Sequence, residues 1–309
     1  MRSEAARAAH RRRVSTVTDD PFVAHRGLLF TVAYEMLGSA ADAEDVVQET
    51  WLRWDAIGAG ERAEVRDARA FLVRMVTRKA LDRLRSNARR REEYVGEWLP
   101  EPLLTAPDVA DDLELAESVS FAMLTVLETL TPTERAVFVL REVFDTPYGE
   151  IAEAVGKSEA AVRQTAHRAR GHVAARRPRM EVSPREQQEV VDRFLAAASR
   201  GDLQGLLDVL APDVVLVADG GGIVQAVVTP VVGAKKVANL LRPFPRLAPG
   251  ATFLPVLLNG APGARLVGTL DGYDTAISFV VEDGRITRIY AVRNPAKLGR
   301  IDVEATIRR

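Results

Sequence analysis

The chain of 309 residues contains no cysteine, and aromatic residues make up only 6% of it. The lack of cysteine excludes disulfides and every zinc or iron–sulfur site that needs a thiolate ligand. No apolar stretch approaches the ~20 residues that a membrane-spanning helix needs, so no membrane partner is expected. The basic first residues, MRSEAARAAHRRRV, precede no apolar signal core. We therefore expect a cytoplasmic protein, since a cysteine-free chain suits a reducing compartment.

Histidine is scarce as well, and all four histidines precede residue 178. The residues that follow therefore lack the commonest general base and the thiol nucleophile. Asp219, Asp271 and Tyr273 are the conceivable acid–base groups in this part of the chain. We nevertheless predict no catalytic residues, no cofactor and no metal site, and we expect the protein not to be an enzyme.

The formal net charge of −1 conceals an uneven distribution of charge. Residues 66–91 contain ten Lys or Arg and two acidic residues. Residues 157–180 contain seven Lys or Arg and one acidic residue. Residues 92–117, between them, contain nine acidic residues and no basic one. Two basic segments on either side of an acidic connector are typical of a protein that touches a polyanion at two places.

Helical patterns dominate the first half of the chain. Apolar residues recur at helical spacing through residues 20–91, where Gly38 is expected to end one helix and Ser39 to cap the next. A second helical domain is predicted over residues 113–177. There LTPTE, residues 130–134, has the pattern of a capping box with proline at the first helical position.

Residues 146–177 have the pattern of a helix-turn-helix. Gly156 separates two short helices, and the second is basic. Val162, Ala166 and Ala169 share one apolar face of that helix, so its polar residues face outward. Because the first half of the motif and the sharp Gly156 turn precede it, we favour DNA binding over a merely solvated basic helix. The predicted DNA-contacting residues are Ser158, Arg163, Gln164, His167 and Arg168.

The remaining segments complete the domain plan. Residues 184–309 are predicted to be an α+β domain, because two helical patterns precede strand-like runs such as VVLVAD, IVQAVVTPVV and TFLPVLLNG. Residues 92–112 are expected to be an acidic linker that reaches roughly 70 Å at about 3.3 Å per residue when extended. Residues 1–19 are expected to be a disordered basic arm.

The order of the helical segments resembles the extracytoplasmic-function (ECF) sigma factors of RNA polymerase. LGSAADAEDVVQETWLRW resembles the family's polymerase-clamp helix, and DARAFLVRMVTRKALDRLRS resembles its −10 recognition and melting helices. The helix-turn-helix resembles the family's −35-binding domain, with residues 163–168 toward the major groove. The resemblance implies a sigma-2 domain over residues 20–91 and a sigma-4 domain over residues 113–177. It also implies these contacts: Asp45, Gln48 and Glu49 with core polymerase, and Arg74, Arg78 and Arg85 with the −10 strand.

The last part of the chain resembles the cone-shaped SnoaL-like domain that one subgroup of these sigma factors carries. Three signatures of that subgroup occur in order: WLPEP (98–102), DGGG (219–222) and an NP-x-KL motif (294–298). The subgroup commonly has a basic residue where this chain has Ile223. The resemblance implies a regulatory contact between linker and C-terminal domain through Trp98, Leu99, Pro100, Asp219, Gly220, Gly221, Asn294, Pro295, Lys297 and Leu298.

Two alternatives stay open for these signatures. Trp98 would, in the simpler interpretation, only cover the end of the first helical domain, and DGGG would be a tight, mobile loop. In the regulatory interpretation both dock the linker, and Pro100 and Pro102 hold its backbone extended.

The leading hypothesis is a sigma factor that binds core RNA polymerase and promoter DNA and initiates transcription, modulated in cis by its C-terminal domain. The alternative is a stand-alone helix-turn-helix regulator with a ligand-sensing C-terminal domain. A small apolar ligand is a further candidate partner, since a curved sheet encloses an apolar concavity.

Overall fold

The computed structural model of the chain describes residues 20–176, 182–269 and 271–308. The predicted basic arm of residues 1–19 lies outside the described residues.

Four helices form the first domain, and their ends follow the cap signals in the sequence. The Asp20 carboxylate accepts a hydrogen bond from the Phe22 N–H, and Gly38 ends the first helix with a φ of 67°. Ser39 caps the second helix by accepting a hydrogen bond from the Asp42 N–H, as predicted. The helices are α1 (Pro21–Leu37), α2 (Ala40–Ala56), α3 (Ala59–Glu64) and α4 (Ala68–Glu92).

In the described residues, six α-helices of 5 to 16 residues form the second domain. The capping box at Thr131 and Glu134 is confirmed, and Gly156 ends the first helix of the helix-turn-helix with a φ of 68°. A single π-helical turn, Val139–Val143, follows the capped helix. The helices are α5 (Pro107–Asp111), α6 (Leu113–Val119), α7 (Phe121–Leu127), α8 (Pro132–Phe138), α9 (Tyr148–Val155) and α10 (Glu159–Ala174).

The two helical domains share one hydrophobic core, which runs from Phe22 to Val173. Helix α4 packs against both α8 and α9. The linker therefore does not hold the two domains apart at full extension, as its reach would allow. Apolar faces that each domain alone would expose cover one another instead, which removes their surface from water.

The C-terminal domain is α+β, as predicted, with helices on one side of a curved sheet. Strand order among the described residues is β3-β2-β7-β6-β5-β4-β1-β8, and the pairs β2–β7 and β1–β8 are parallel. The helices are α11 (Pro184–Arg200), α12 (Leu203–Val209), α13 (Ala234–Leu241) and α14 (Phe244–Leu247). The strands are β1 (Leu104–Thr105), β2 (Leu210–Asp219), β3 (Val231–Val232), β4 (Thr252–Leu258), β5 (Ala261–Val267), β6 (Thr275–Glu282), β7 (Arg285–Val292) and β8 (Glu304–Ala305).

One predicted strand is wrong. Of the run IVQAVVTPVV, only Val231–Val232 pairs in the sheet. The glycines of residues 220–222 turn the chain away from β2, and Pro230 has no N–H to offer a ladder. Residues 223–230 therefore form a loop.

The acidic linker itself supplies a strand of the C-terminal sheet. Leu104 in β1 pairs with Leu258 in β4, and β8 pairs with the other edge of β1. The linker is thus built into the C-terminal domain by main-chain hydrogen bonds.

Candidate functional site

The face of α10 that was assigned to the −35 element is open to solvent. Arg163, Gln164, His167 and Arg168 are exposed, and the apolar positions between them are buried. Ser158 lies at the start of the helix, where its hydroxyl accepts the Ala161 N–H. The helix therefore presents donors and acceptors of the kind that read base edges.

Arg163 is oriented before any ligand binds. Its guanidinium lies 4.8 Å from the centroid of the Tyr148 ring and pairs with Glu159 one helical turn earlier. Both contacts are at the surface, where ion pairs contribute little to stability. They direct the side chain without burying it.

We call the packing of α4 against α8 and α9 the closed arrangement. It separates the residues assigned to the −10 strand into two groups. Arg74 Nη1 lies 2.9 Å from Glu153 Oε2, and Arg78 Nη2 donates to the Glu153 carbonyl over 2.8 Å. Glu153 belongs to α9, the first helix of the helix-turn-helix. Arg85 is exposed and pairs with Asp82 on its own helix. Two of the three arginines therefore contact the second helical domain.

The residues assigned to core polymerase lie on the outer face of α2. Asp45 and Gln48 are exposed. The Glu49 carboxylate contacts Lys79 at 2.9 Å and Arg83 at 3.4 Å. The hydrogen bond from Lys79 holds the pKa of Glu49 below its ordinary value, so this carboxylate stays ionised.

The three signatures meet at the Asp219 carboxylate, which ends β2 and is 1% exposed. Oδ1 accepts from the Tyr94 hydroxyl at 2.5 Å and from the Gly221 N–H at 3.0 Å. Oδ2 accepts from the Leu99 N–H at 3.0 Å and from Lys297 Nζ at 2.7 Å. We call the contact of residues 94–101 with the Asp219 and Lys297 side chains the linker joint.

The Lys297 ammonium group contacts the linker at the Leu99 carbonyl and at the rings of Tyr94 and Trp98. Nζ donates to the Leu99 carbonyl over 2.5 Å and lies 3.3 Å from the centroid of the Trp98 ring. The Tyr94 ring meets Trp98 edge-on, with centroids 4.7 Å apart. Burial, with the bond to Asp219, raises the pKa of the Tyr94 hydroxyl, which therefore remains a donor.

The glycines of the DGGG turn are required by close contacts. A Cβ on Gly220 would lie 2.1 Å from the Val224 carbonyl oxygen, and one on Gly221 would lie 2.3 Å from Asn294 Nδ2. Asn294 donates from that nitrogen to the Tyr94 hydroxyl at 2.7 Å, and Pro295 begins the short helix that carries Lys297. Ile223 is 59% exposed.

Leu99, rather than Trp98, is the apolar plug of the linker. Leu99 is 1% exposed in a cluster with Leu258 and Val292, against which Leu298 packs. Trp98 is half-buried, whereas Pro100, which follows Leu99, is buried. Proline has no N–H to leave unpaired, which suits its place in this buried extended segment.

A second contact, which the sequence did not indicate, extends the linker joint toward α1. The buried Asn259 side chain accepts from the Leu103 N–H and donates to the Tyr34 hydroxyl and the Val119 carbonyl. The Tyr34 hydroxyl in turn donates to the Glu101 carbonyl. The one signal that the sequence offers here is the Asn-Gly pair at 259–260, which is typical of a hairpin turn.

The end of the chain returns to the first helical domain. Ile307 is 5% exposed within the helical core, and the Arg308 N–H donates to the Thr31 hydroxyl over 2.9 Å. The C-terminal domain thus contacts the first domain through both the linker and its own last residues.

Across the described part of the chain, no helix is long and apolar enough to span a membrane, and no group of three His, Cys, Asp or Glu side chains is placed to hold a metal ion.

Comparison with known proteins agrees with these features. Residues 22–90 match Sigma-70 region 2, and residues 120–173 match Sigma-70 region 4. The chain is 42% identical over 292 residues to ECF RNA polymerase sigma factor SigJ of Mycobacterium tuberculosis strain H37Rv, a match that covers 89% of this chain and 91% of SigJ. This chain belongs to the ECF RNA polymerase sigma factors.

Two further similarities extend over most of this sigma factor. It is 34% identical to the probable ECF sigma factor SigI of the same organism, over 91% of this chain and 94% of SigI. The crystal structure of SigJ superimposes with a TM-score of 0.73 at 37% identity and covers 91% of this chain and 98% of that one. The presence of region 2 removes the alternative of a stand-alone helix-turn-helix regulator.

Proposed function

We propose that this sigma factor binds core RNA polymerase through Asp45, Gln48 and Glu49 on α2. In the same proposal α10 reads the −35 element, and Arg74, Arg78 and Arg85 on α4 contact the melted −10 strand. The open basic face of α10 and the anionic face of α2 support these roles. Binding to core polymerase would make the cytoplasm its place of action.

We further propose that the C-terminal domain inhibits the sigma domains in cis. The observation that carries this proposal is the contact of Arg74 and Arg78 with Glu153. In this contact the domain assigned to the −35 element covers two of the arginines assigned to the −10 strand. Promoter elements about two turns of B-DNA apart are separated by roughly 70 Å. While α4 touches α9, the chain cannot contact both promoter elements at once. The two helical domains must therefore separate before initiation, and in this proposal the linker joint opens to allow it.

The C-terminal domain would act by holding the linker, not by catalysis. The Asp219 carboxylate receives four donors, and Asp271 pairs with Arg293 at 2.7 Å. These carboxylates have structural tasks, and sigma factors are in general not enzymes.

The test is run-off transcription by purified core polymerase from a promoter selected with the full chain. Lys297→Met removes the cation of the linker joint and leaves the buried Asp219 carboxylate without a partner charge. Removing one partner of a buried ion pair destabilises the folded state by about 3–5 kcal/mol. We expect a several-fold increase in transcript at limiting sigma factor. Lys235→Met, at an exposed lysine of α13, is the matched control and should match the native chain.

Two results would contradict the proposal in different ways. No transcript from any of these proteins would refute promoter-dependent initiation by this chain with core polymerase. Equal transcript from the native chain and Lys297→Met, with linker amides that exchange faster in the variant, would refute inhibition by the C-terminal domain.

A further inference from the structure

The sheet of the C-terminal domain has two faces with different surroundings. On β7, Tyr290 and Val292 face the linker side, where they pack with Leu99. Ile289, Ala291 and then Arg293 face the opposite side and line a cavity. Since alternate residues of a strand point to opposite faces, one strand separates this cavity from the linker joint.

The cavity encloses about 550 Å³ between the sheet and the helices α11, α13 and α14. Most of its wall is aliphatic or aromatic, with Phe194, Phe244 and Phe253 among the lining side chains. The size and composition fall within the range of small-molecule sites, which are about 300–1,000 Å³ and mostly apolar.

An ion pair of Arg293 with Asp271 interrupts the apolar wall. The Arg293 guanidinium donates to the Thr275 hydroxyl at 3.1 Å, the main-chain carbonyl of Gln225 at 2.6 Å and the Asp271 carboxylate at 2.7 Å. These bonds fix its plane and use three of its five N–H groups. The others can serve an acceptor in the cavity, and an anion there would gain a charge-assisted bond.

We propose that this cavity binds a small apolar molecule that carries one anionic group, with the rings or chain against the phenylalanines and the anion on Arg293. The regulatory consequence rests on the proposed function: occupancy opens the linker joint.

The loop of residues 220–227 connects the two sites. Gln225 and Ala226 line the cavity, whereas a Cβ on Gly222 would lie 3.1 Å from the Val95 side chain of the linker. The main-chain N–H groups of Arg293 and Asn294 both donate to the Asp219 carbonyl. In this proposal the ligand anion uses the remaining N–H groups of Arg293 and also displaces the Gln225 carbonyl, which loosens the loop that supports Asp219.

Binding is tested with a dye pair on the full chain. The anionic probe is 8-anilinonaphthalene-1-sulfonate, and the neutral probe is N-phenyl-1-naphthylamine, which has the same rings without the sulfonate. We expect saturable fluorescence with the anionic probe, lost in Ala291→Trp because indole fills the cavity. Arg293→Met should weaken the affinity for the anionic probe at least about tenfold and leave the affinity for the neutral probe within about twofold of the native value.

The matched control is Arg288→Met, at an exposed arginine of β7. This variant should bind both probes as the native chain does. Hydrogen exchange at the Leu99 amide gives the second readout, and saturating anionic probe should accelerate it. Neither readout depends on transcription, so failure here is separate from failure of the sigma-factor proposal.

Binding unchanged by Ala291→Trp, or equal loss of both probes in Arg293→Met, would overturn the proposed site. Saturable binding with an unchanged Leu99 exchange rate would overturn the link to the linker joint.

Discussion

Asp219 and Lys297 form a buried ion pair that organises the linker joint. The exposed fractions of the two residues are 1% and 7%, and their charged atoms lie 2.7 Å apart. Such a pair offsets its own desolvation only when every donor and acceptor is satisfied, whereas removal of one partner costs about 3–5 kcal/mol. We infer that the pair fixes where the linker docks more than it adds to stability.

Gly221→Ala should break the linker joint without removing any charged group. Gly221 has a φ of 62°, and an added Cβ would lie 2.3 Å from Asn294 Nδ2. We expect the Leu99 amide to exchange at least about tenfold faster with solvent deuterium.

Gly272→Ala controls for the backbone conformation. Gly272 has a φ of 75°, but no atom lies within 4 Å of its added Cβ. Both variants carry the roughly 1–2 kcal/mol cost of a left-handed alanine, and only Gly221→Ala adds a clash. Equal exchange at Leu99 in the two variants would show that the clash does not open the joint.

Glu101 gives the closed arrangement a dependence on pH. Burial raises the pKa of its carboxyl above the ordinary 4.5, although the Ala41 N–H and Ser39 hydroxyl stabilise the carboxylate. The folded chain therefore binds this proton more tightly than the unfolded chain does. The resulting stability is present below the ordinary pKa and is lost as the pH rises through the raised pKa.

Glu101→Gln should therefore stabilise the chain at pH 7 relative to the native protein, since glutamine carries no charge to bury and still accepts one hydrogen bond. The difference should shrink as the pH falls toward 4.5. Urea unfolding across this range measures it, with the exposed Glu97→Gln as control. A stability loss at pH 7 in Glu101→Gln would contradict the assignment of burial as the dominant effect.

Helices and their caps were predictable from the sequence because their causes are local. The side chains of Ser39, Thr131 and Ser158 accept bonds from N–H groups three residues away, within the windows that a sequence pattern covers. The family resemblance further indicated which segments belong at the linker. The proposed contacts with polymerase, promoter and ligand stay predictions.

Strands β1 and β8 were not predictable, because two residues give no alternation to detect. Their pairing depends on partners far along the chain, Leu104 with Leu258 and with Glu304. The strand expected from IVQAVVTPVV failed for the opposite reason. Its β-branched residues favour a strand, but the tight turn before it and Pro230 prevent pairing.

Ile307→Ala tests the contact of the chain's last segment with the first domain. Ile307 is 5% exposed in the helical core, so truncation to alanine should cost about 2–5 kcal/mol of unfolding free energy by urea titration. Val303→Ala, at a residue that is 58% exposed, should stay within about 0.5 kcal/mol. Equal losses of unfolding free energy in Ile307→Ala and Val303→Ala would show that Ile307 lies outside the core in solution.

At the scale of the whole molecule, one polypeptide carries two DNA-binding domains and the element that holds them together. The surface ion pair of Arg74 with Glu153 contributes little by itself, since such pairs are worth about 0–1 kcal/mol. The shared hydrophobic core and the linker joint contribute more to the stability of the closed arrangement. We therefore propose that release of the linker is a more effective control point than the domain surfaces.

The distance between the helical domains tests this account most directly. The chain has no cysteine, so Arg53→Cys and Ala175→Cys, at exposed positions, place one spin label on each domain. In the free chain we predict one short, narrow distance distribution by pulsed electron spin resonance. With core polymerase and promoter DNA the distance should increase by tens of ångströms, and Lys297→Met should populate the longer distance without them. A bound distance equal to the free one would contradict the account.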